Sequence, residues 1–322
     1  MKTHISIVLL LLLLLFTSSC KQESIGAING VLVVYSSSLS EFIDTGGLQD
    51  LHLVVETVDP EEVFSFSFAE ISEFQGTLKT RRVILLLVDT FEENQIPSVL
   101  DQGETGIYSG QDVWALDQQV FAVVVNSESP ELPPELPGML ETAYDNQMHD
   151  YIFESFVSTS MTSPERMDSL SFLGFTLDIP KSFNIRIWTP EDGFIQYQRQ
   201  PDAECLLLFS IRVLSDHSEL SDSNAVLARE AMARLFFYDA SADSVDRARL
   251  FMTPIEQNGL PGWEMTGVWR NPEYLNAGSF TSRVLDAGDE WYILDMEVYN
   301  PGFKKEPYLR EGWIIMDTFR KE

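Results

Sequence analysis

Apolar residues in this chain gather into short runs, and the spacing inside each run predicts the element it forms. The first run, Ile5 to Phe16, is interrupted only by Ser6, follows Lys2 and ends in Thr17-Ser18-Ser19-Cys20. A helix needs about 20 apolar residues to cross roughly 30 Å of hydrocarbon, and this run is shorter. A basic start, a short apolar core and small residues at its end predict a secretory signal over residues 1–19. Val31 to Tyr35 predicts a strand running into Ser36-Ser37-Ser38. Val63 to Phe68 alternates strictly, so Phe64, Phe66 and Phe68 share one face of a half-buried strand. Ala69 to Leu78 predicts a helix carrying Ile71, Phe74 and Leu78, and Val83 to Val88 predicts a strand covered on both faces. Trp114 to Val125 supplies one or two strands around Asp117-Gln118, and the stretch Pro130 to Pro137 precedes a helix from Met139 to about Val157.

The second half is patterned differently. Phe175 to Pro180, Phe183 to Trp188, Phe194 to Gln200 and Cys205 to Leu214 predict strands at short intervals. Ser221-Asp222-Ser223 offers cap residues for a helix through about Tyr238, with Leu227, Ala231 and Leu235 on one face. Trp263 to Arg270 alternates, placing Trp263, Met265, Gly267 and Trp269 together, and Ser279 to Leu285 predicts another strand. In the strand Trp291 to Tyr299, Tyr292, Leu294, Met296 and Val298 face one way while Asp295 and Glu297 face the other. A last helix from about Glu306 to Arg320 carries Leu309, Trp313 and Met316. Neighbouring strands joined by short turns predict an antiparallel sheet with helices packed on one face. The whole chain is expected to be α+β in two lobes. A mixed α/β lobe spans 31–160, an antiparallel lobe spans 161–322, the joint lies near Thr159 to Asp168, and residues 20–30 form a tether.

Cysteine usage bears on the tether. Phe16-Thr17-Ser18-Ser19-Cys20 resembles the small-residue box that ends bacterial lipoprotein signals, with Thr17 where Leu is commoner. The other cysteine, Cys205, lies in the apolar run Cys205 to Phe209, so lipidation of Cys20 leaves no thiol pair for an intramolecular disulfide. Several acyl chains on Cys20 make a durable membrane anchor, each buried CH2 contributing about 0.8 kcal/mol. The formal charge of −29 is unevenly spread: residues 21–160 hold 24 acids against 4 bases, and residues 161–322 hold 26 against 16. Such a balance argues against nucleic acid as a partner, because that mode relies on Lys and Arg neutralising phosphates.

Motifs of known chemistry are missing from the sequence. His52, His149 and His217 have no metal-site spacing, and no Gly-x-Ser-x-Gly elbow, phosphate loop or His-Glu-x-x-His helix occurs, so neither metal nor cofactor is expected. Glu61-Glu62 and Glu92-Glu93 read as solvated turns or helix starts. The candidate ligand-binding residues are Trp263, Trp269, Arg270, Tyr299, Lys304 and Lys305. An aromatic strand ending in Arg, beside a Pro-Gly turn ending in two lysines, forms a cleft for an anionic or sugar-like ligand. The competing account has the indoles filling the core and the cations at the surface.

Gly262-Trp263-Glu264-Met265-Thr266-Gly267-Val268-Trp269-Arg270 resembles the "E-M-R-G-L-W-R" strand of the DUF4837 family, with Thr266 where Arg is usual. Glu297 to Lys305 is similar to its "F-V-Y-A-P-G-x-x-K-R" segment, Gly278-Ser279-Phe280 to its "G-G-P-F" turn, and Tyr308-Leu309-Arg310-Glu311 to "Y-L-R-Q". Phe175 to Lys181, Val31 to Tyr35 and Leu78 to Leu85 resemble further family stretches. The resemblance implies a bacterial lipoprotein of the Bacteroidetes type with no assigned activity, and it carries over no catalytic residue. The element order is also loosely similar to PsbP-like domains, a likeness of fold that says little about function. The expectation is a non-enzymatic binding or scaffolding protein of the cell envelope, held to the membrane by its N-terminal lipid. Lys21-Gln22 after the cysteine lacks the Asp associated with inner-membrane retention, which favours the outer membrane, periplasmic face or surface. Its partner is expected to be an envelope protein or a glycan. The alternative is an envelope hydrolase or modifying enzyme using carboxylates.

Overall fold

The computed structural model describes residues 21–153, 170, 173–237, 243–273 and 275–322. The signal, Cys20, the expected joint at 159–168 and the helix residues beyond 153 lie outside them. The described chain is α+β and divides into two units, one of residues 1–51 and 64–143, the other of residues 52–63 and 144–322. Along the chain come β1 (Gly30–Tyr35), the short helix α1 (Ser40–Asp44), β2 (Val54–Val55), β3 (Glu61–Glu62), β4 (Ser65–Glu70), β5 (Val83–Asp89), β6 (Asp101–Gln102), β7 (Tyr108–Gln111) and β8 (Gln119–Val125).

In the first unit the sheet runs β4-β1-β5-β8-β7-β6. The pairs β1/β4, β1/β5 and β5/β8 are parallel, whereas β7 and β6 extend the sheet antiparallel. All seven residues of β5 are buried, as its unbroken apolar run requires of a central parallel strand. β4 is the edge, so Phe64 is buried while Phe68 is half-exposed. The helix expected over 69–78 does not form. β4 runs on to Glu70, and 3-10 turns at Ile71–Glu73 and Gly76–Thr80 follow, the second opening on Gly76 with its positive φ. Ile71, Phe74 and Leu78 still pack on one core cluster with Leu32, Ile84 and Val120. The expected tether is also laid along this unit: Ser24 N–H donates to Leu116 O and Ile25 N–H to Thr80 O, so backbone pairing holds residues 23–25 in place.

Helix α2 (Leu136–Phe153) is followed by β9 (Phe175–Thr176), β10 (Asn184–Thr189), β11 (Phe194–Arg199), β12 (Leu206–Leu214), α3 (Asp222–Phe236), β13 (Ser244–Gln257), β14 (Leu260–Asn271), β15 (Asn276–Asp286), β16 (Trp291–Tyr299), α4 (Glu306–Asp317) and β17 (Arg320–Lys321). The second unit's sheet has the order β10-β11-β12-β16-β15-β14-β13, antiparallel throughout. Two meanders, β10–β12 and β13–β16, meet where β12 pairs with β16. Asn258 and Gly259, both with positive φ, close the β13–β14 hairpin, as a two-residue primed turn demands.

Three expectations are corrected in this unit. The helices divide between the faces instead of sharing one. Gly312 of α4 sits against Met296 and Thr281, whereas Val226, Met232 and Ala233 of α3 pack with Met265, Phe280 and Ile293, whose side chains point the other way. On α3 the buried stripe is Ala225, Val226, Arg229, Glu230, Met232 and Ala233, and Leu227 and Leu235 are exposed. Arg229 and Glu230 are buried because each has a partner beneath the helix. The lobe boundary also differs from the expected 31–160, since His52–Val63 and the chain from Tyr144 belong with the second unit. Tyr144 donates its hydroxyl to Glu306, and Glu61 accepts from the first backbone amides of α4.

Candidate functional site

Strand register arranges the α3-side face of the large sheet into rows. Trp269 lies opposite Gly278, and Gly278 is one step along β15 from Ser279, whose partner is Val298, so Tyr299 completes that row. The next row holds Gly267, Phe280, Glu297 and Leu208, and the one below it Met265, Ser282, Asp295, Ser210 and Gln196. Two carboxylates thus stand two residues apart on β16, at the middle of a seven-stranded sheet, Glu297 between Phe280 and Leu208 and Asp295 between Ser282 and Ser210.

Arg229 answers one of them. It is 2% exposed, donates from Nε to Asp295 Oδ1 at 2.7 Å and from Nη2 to Oδ2 at 3.5 Å, and stacks 3.6 Å from the Phe280 ring centre. Burial pushes the Asp295 carboxyl up, and the Arg229 guanidinium and the Ser282 hydroxyl pull it back. Alongside, Gln196 donates to Ser210 Oγ at 2.9 Å and receives a hydrogen bond from Arg186.

Glu297 is differently placed. It is 6% exposed, and its Oε2 has no hydrogen-bond partner among the described residues. Burial pushes its carboxyl up to about 8; Arg229 opposes this, and the negative charges of Asp295 and Asp243 add to it. At neutral pH Glu297 therefore carries a proton and is a hydrogen-bond donor. Asp243 is itself raised by burial, and Asn271 Nδ2 donates to it at 2.6 Å.

Trp269 is also 6% exposed, and its Nε1–H lacks a partner among the described residues. The indole lies over Gly278. A Cβ there would come within 2.6 Å of Trp269 Nε1 and 2.5 Å of Val298 O, so the row admits only glycine at this position. Tyr299, half-buried, has its ring centre 6.4 Å from that of Trp269. Asn276, two residues before Gly278 on the same face, has a buried Oδ1 that is likewise unpartnered. Three buried polar atoms without partners thus lie along one sheet face, with Asn276 and Glu297 on opposite sides of the row that holds Trp269.

Of the residues singled out from the sequence, Trp269 and Tyr299 lie together here, and Trp263 packs lower on the same core cluster. The cations do not join them. Arg270 alternates away from Trp269, is 61% exposed and lies 3.8 Å from Asp246. Lys304 is exposed, with Nζ 3.4 Å from Glu62 O. Lys305 is buried, donating from Nζ to Phe303 O at 2.6 Å and from its amide to Glu61. The histidines are scattered: His52 faces Glu62 at 3.2 Å, His149 faces Asp150 at 3.4 Å, and His217 stacks on Trp291. Among the described residues no three His, Cys, Asp or Glu side chains are grouped to hold a metal ion.

Glu297 and Asp295 were not among the residues expected to bind. Their signal was legible, because two acids two residues apart interrupt the apolar strand Trp291 to Tyr299. Arg229 gave no such signal, since one arginine among the polar residues of a helix looks solvated.

No curated protein matches the chain. Among solved structures it is similar to the cyanobacterial PsbP of Synechocystis, at 9% identity over 47% of this chain and 89% of that one, with a TM-score of 0.34. It is also similar to LpqN, described as involved in cell envelope biogenesis of Mycobacterium tuberculosis, at 8% identity over 44% of this chain and 79% of that one, with a TM-score of 0.28. A family model matches residues 164–318, which include β9 to β16 and α3 and α4. Through that segment the chain belongs to the DUF4837 family, described as a domain of unknown function.

Proposed function

We propose that this protein is a lipid-anchored lipoprotein of the bacterial cell envelope, held at the outer membrane through Cys20, whose DUF4837 domain binds an envelope partner without catalysing a reaction on it. The binding part rests on one observation: Trp269 Nε1 and Glu297 Oε2, both more than nine-tenths buried, are uncommitted on one sheet face next to the half-buried Tyr299. A buried polar atom without a partner costs about 1–3 kcal/mol, a cost that a bound ligand removes. The anchoring part rests on the run Ile5 to Phe16 and the box that ends in Cys20.

A carboxylate hydrolase is the competing reading, and Asp295 weighs against it. A nucleophile or base needs a free lone pair directed at substrate, and Arg229 engages both oxygens of Asp295. Binding is tested by affinity capture from detergent-solubilised envelope, comparing wild type with Tyr299→Ala. Loss of a captured component in the variant supports the site, and an unchanged set of components removes it. For the anchor, Cys20→Ala protein is expected in the soluble fraction after signal cleavage, and its retention on membranes would refute the assignment.

A further inference from the structure

We infer that a second binding site, for an aliphatic ammonium group, lies on the α4 side of the second unit. It is built apart from Trp269 and Glu297, on the other face of the large sheet, and stands independently of the binding reading above.

A cavity of about 520 Å³ opens there, within the size range of small-molecule sites. Asp145 and His149, four residues apart, bring one face of α2 to it, and Ile314 and Asp317 bring one face of α4. The antiparallel pairing of Thr176 with Arg320 closes a third side and brings in Asp178. Arg310 donates to Asp145 Oδ1 at 2.5 Å and so ties α2 to α4.

Charge selects the ligand's sign. Carboxylates from three elements, Asp145, Asp178 and Asp317, line the cavity against a single guanidinium. That guanidinium, of Arg320, donates to Asp317 O and Phe319 O at 2.7 and 2.6 Å. Arginines behind the walls do not cancel the acids, because each serves two carboxylates. Arg310 serves Asp145 and Glu306, and Arg283 serves Asp317 and Glu264. Asp178 is exposed and its carboxylate enters no ion pair among the described residues. An anionic ligand therefore meets net repulsion, whereas an ammonium group gains a charge-assisted hydrogen bond to Asp178.

Size and surface select an organic cation. Among the described residues no three His, Cys, Asp or Glu side chains are grouped to hold a metal ion, so these acids surround a space wider than an ion. Ile314, 6% exposed, gives the cavity apolar surface for methylene groups. A primary amine on an alkyl chain meets both features. Such a group occurs on free diamines and polyamines and on lysine side chains.

The test uses the full mature protein in detergent micelles at low salt. Calorimetry and isoleucine-methyl NMR are recorded with cadaverine, spermidine and Nα-acetyl-lysine methylamide. Pentanediol and glutarate serve as neutral and anionic counterparts of cadaverine. At least one amine is expected to bind saturably, to shift the Ile314 methyl resonance and to bind at least about tenfold more tightly than the diol. Asp178→Asn is expected to weaken binding by about tenfold, whereas Glu219→Gln, at an exposed acid before α3, leaves it unchanged. Tighter binding of cadaverine or spermidine assigns the site to a free amine, and tighter binding of the lysine derivative assigns it to a protein side chain. Absence of saturable amine binding overturns the proposal, as does a diol that binds equally well. Equal weakening by Glu219→Gln and Asp178→Asn also overturns it, since the amine then follows the overall charge of −29 and not the cavity.

Discussion

The carboxylate of Glu61 accepts the backbone N–H of Lys305 at 2.8 Å, although the two residues are 244 positions apart. Glu61 also accepts the next amide, Glu306 N–H, at 2.9 Å, so the turn β2–β3 supplies the N-terminal cap of α4. The first amides of a helix have no partner inside it and carry partial positive charge, which a carboxylate offsets. Thr57 Oγ1 donates to the same carboxylate at 3.1 Å. Glu61→Ala is therefore expected to destabilise the second unit by about 1–2 kcal/mol, with Glu61→Gln closer to wild type. Urea unfolding followed by tryptophan fluorescence measures this, and an Ala variant indistinguishable from wild type would show that the cap contributes nothing.

Arg229 and Asp295 form a buried pair whose members are useful only together. Removing one leaves an uncompensated charge under α3, so Arg229→Ala is expected to cost about 3–5 kcal/mol. Substituting both, Arg229→Met with Asp295→Leu, removes the stranded charge and is expected to recover much of that loss. A double-variant cycle by chemical denaturation checks the pair, and simple additivity of the two single losses would mean that the residues do not interact.

Much of this architecture was legible in the sequence, and the exceptions have physical causes. Strand β16 was readable down to which residues face which way, because alternation is a local property of an extended chain. The buried face of α3 was not. Leu227 and Leu235 carry more apolar surface than Ala225 and Ala233, yet the helix turns Arg229 and Glu230 inward. That rotation is set by Asp295, Val245 N–H and Arg247, which are remote in sequence. Lys305 shows the same limit, since its role depends on Glu61. Trp269 and Tyr299 were identifiable as aromatic residues near one another, but their unpartnered neighbours Glu297 and Asn276 required the register of three strands. The 3-10 turns after β4 escaped because Ile71, Phe74 and Leu78 bury the same face in either conformation.

At the C-terminal ends of β1 and β5, Asp89 gathers the hydroxyls of Ser38, at 2.6 Å, and Thr90, at 3.1 Å, together with Phe91 N–H at 3.1 Å. These bonds and one from Ser127 hold its carboxyl down to about 2. A depressed acid stabilises the fold above its unfolded value of 3.8, and the contribution is lost as pH falls through about 2. Asp89→Asn is thus expected to lower the melting temperature near neutral pH, by an amount that shrinks as the medium is acidified below about pH 4. Melting curves across this range distinguish the two effects, and a gap independent of pH would mean that the charge is not its source.

Glu297 titrates with the opposite sign. Its folded value of about 8 lies above the ordinary 4.5, so the folded state holds the proton more tightly than the unfolded chain does. Protonation stabilises the fold fully below about pH 4.5, and this stabilisation is lost progressively as pH rises towards about 8. Glu297→Gln carries no such titration and keeps the same shape. The variant is expected to match wild type near pH 4.5 and to gain on it up to about pH 8, reaching on the order of a few kcal/mol. Above the folded value the difference levels off, because Glu297 is then ionised in both states. Urea unfolding at a series of pH values measures the difference, and the reverse slope, with wild type gaining on the variant as pH rises, would show that the buried carboxyl is ionised at neutral pH.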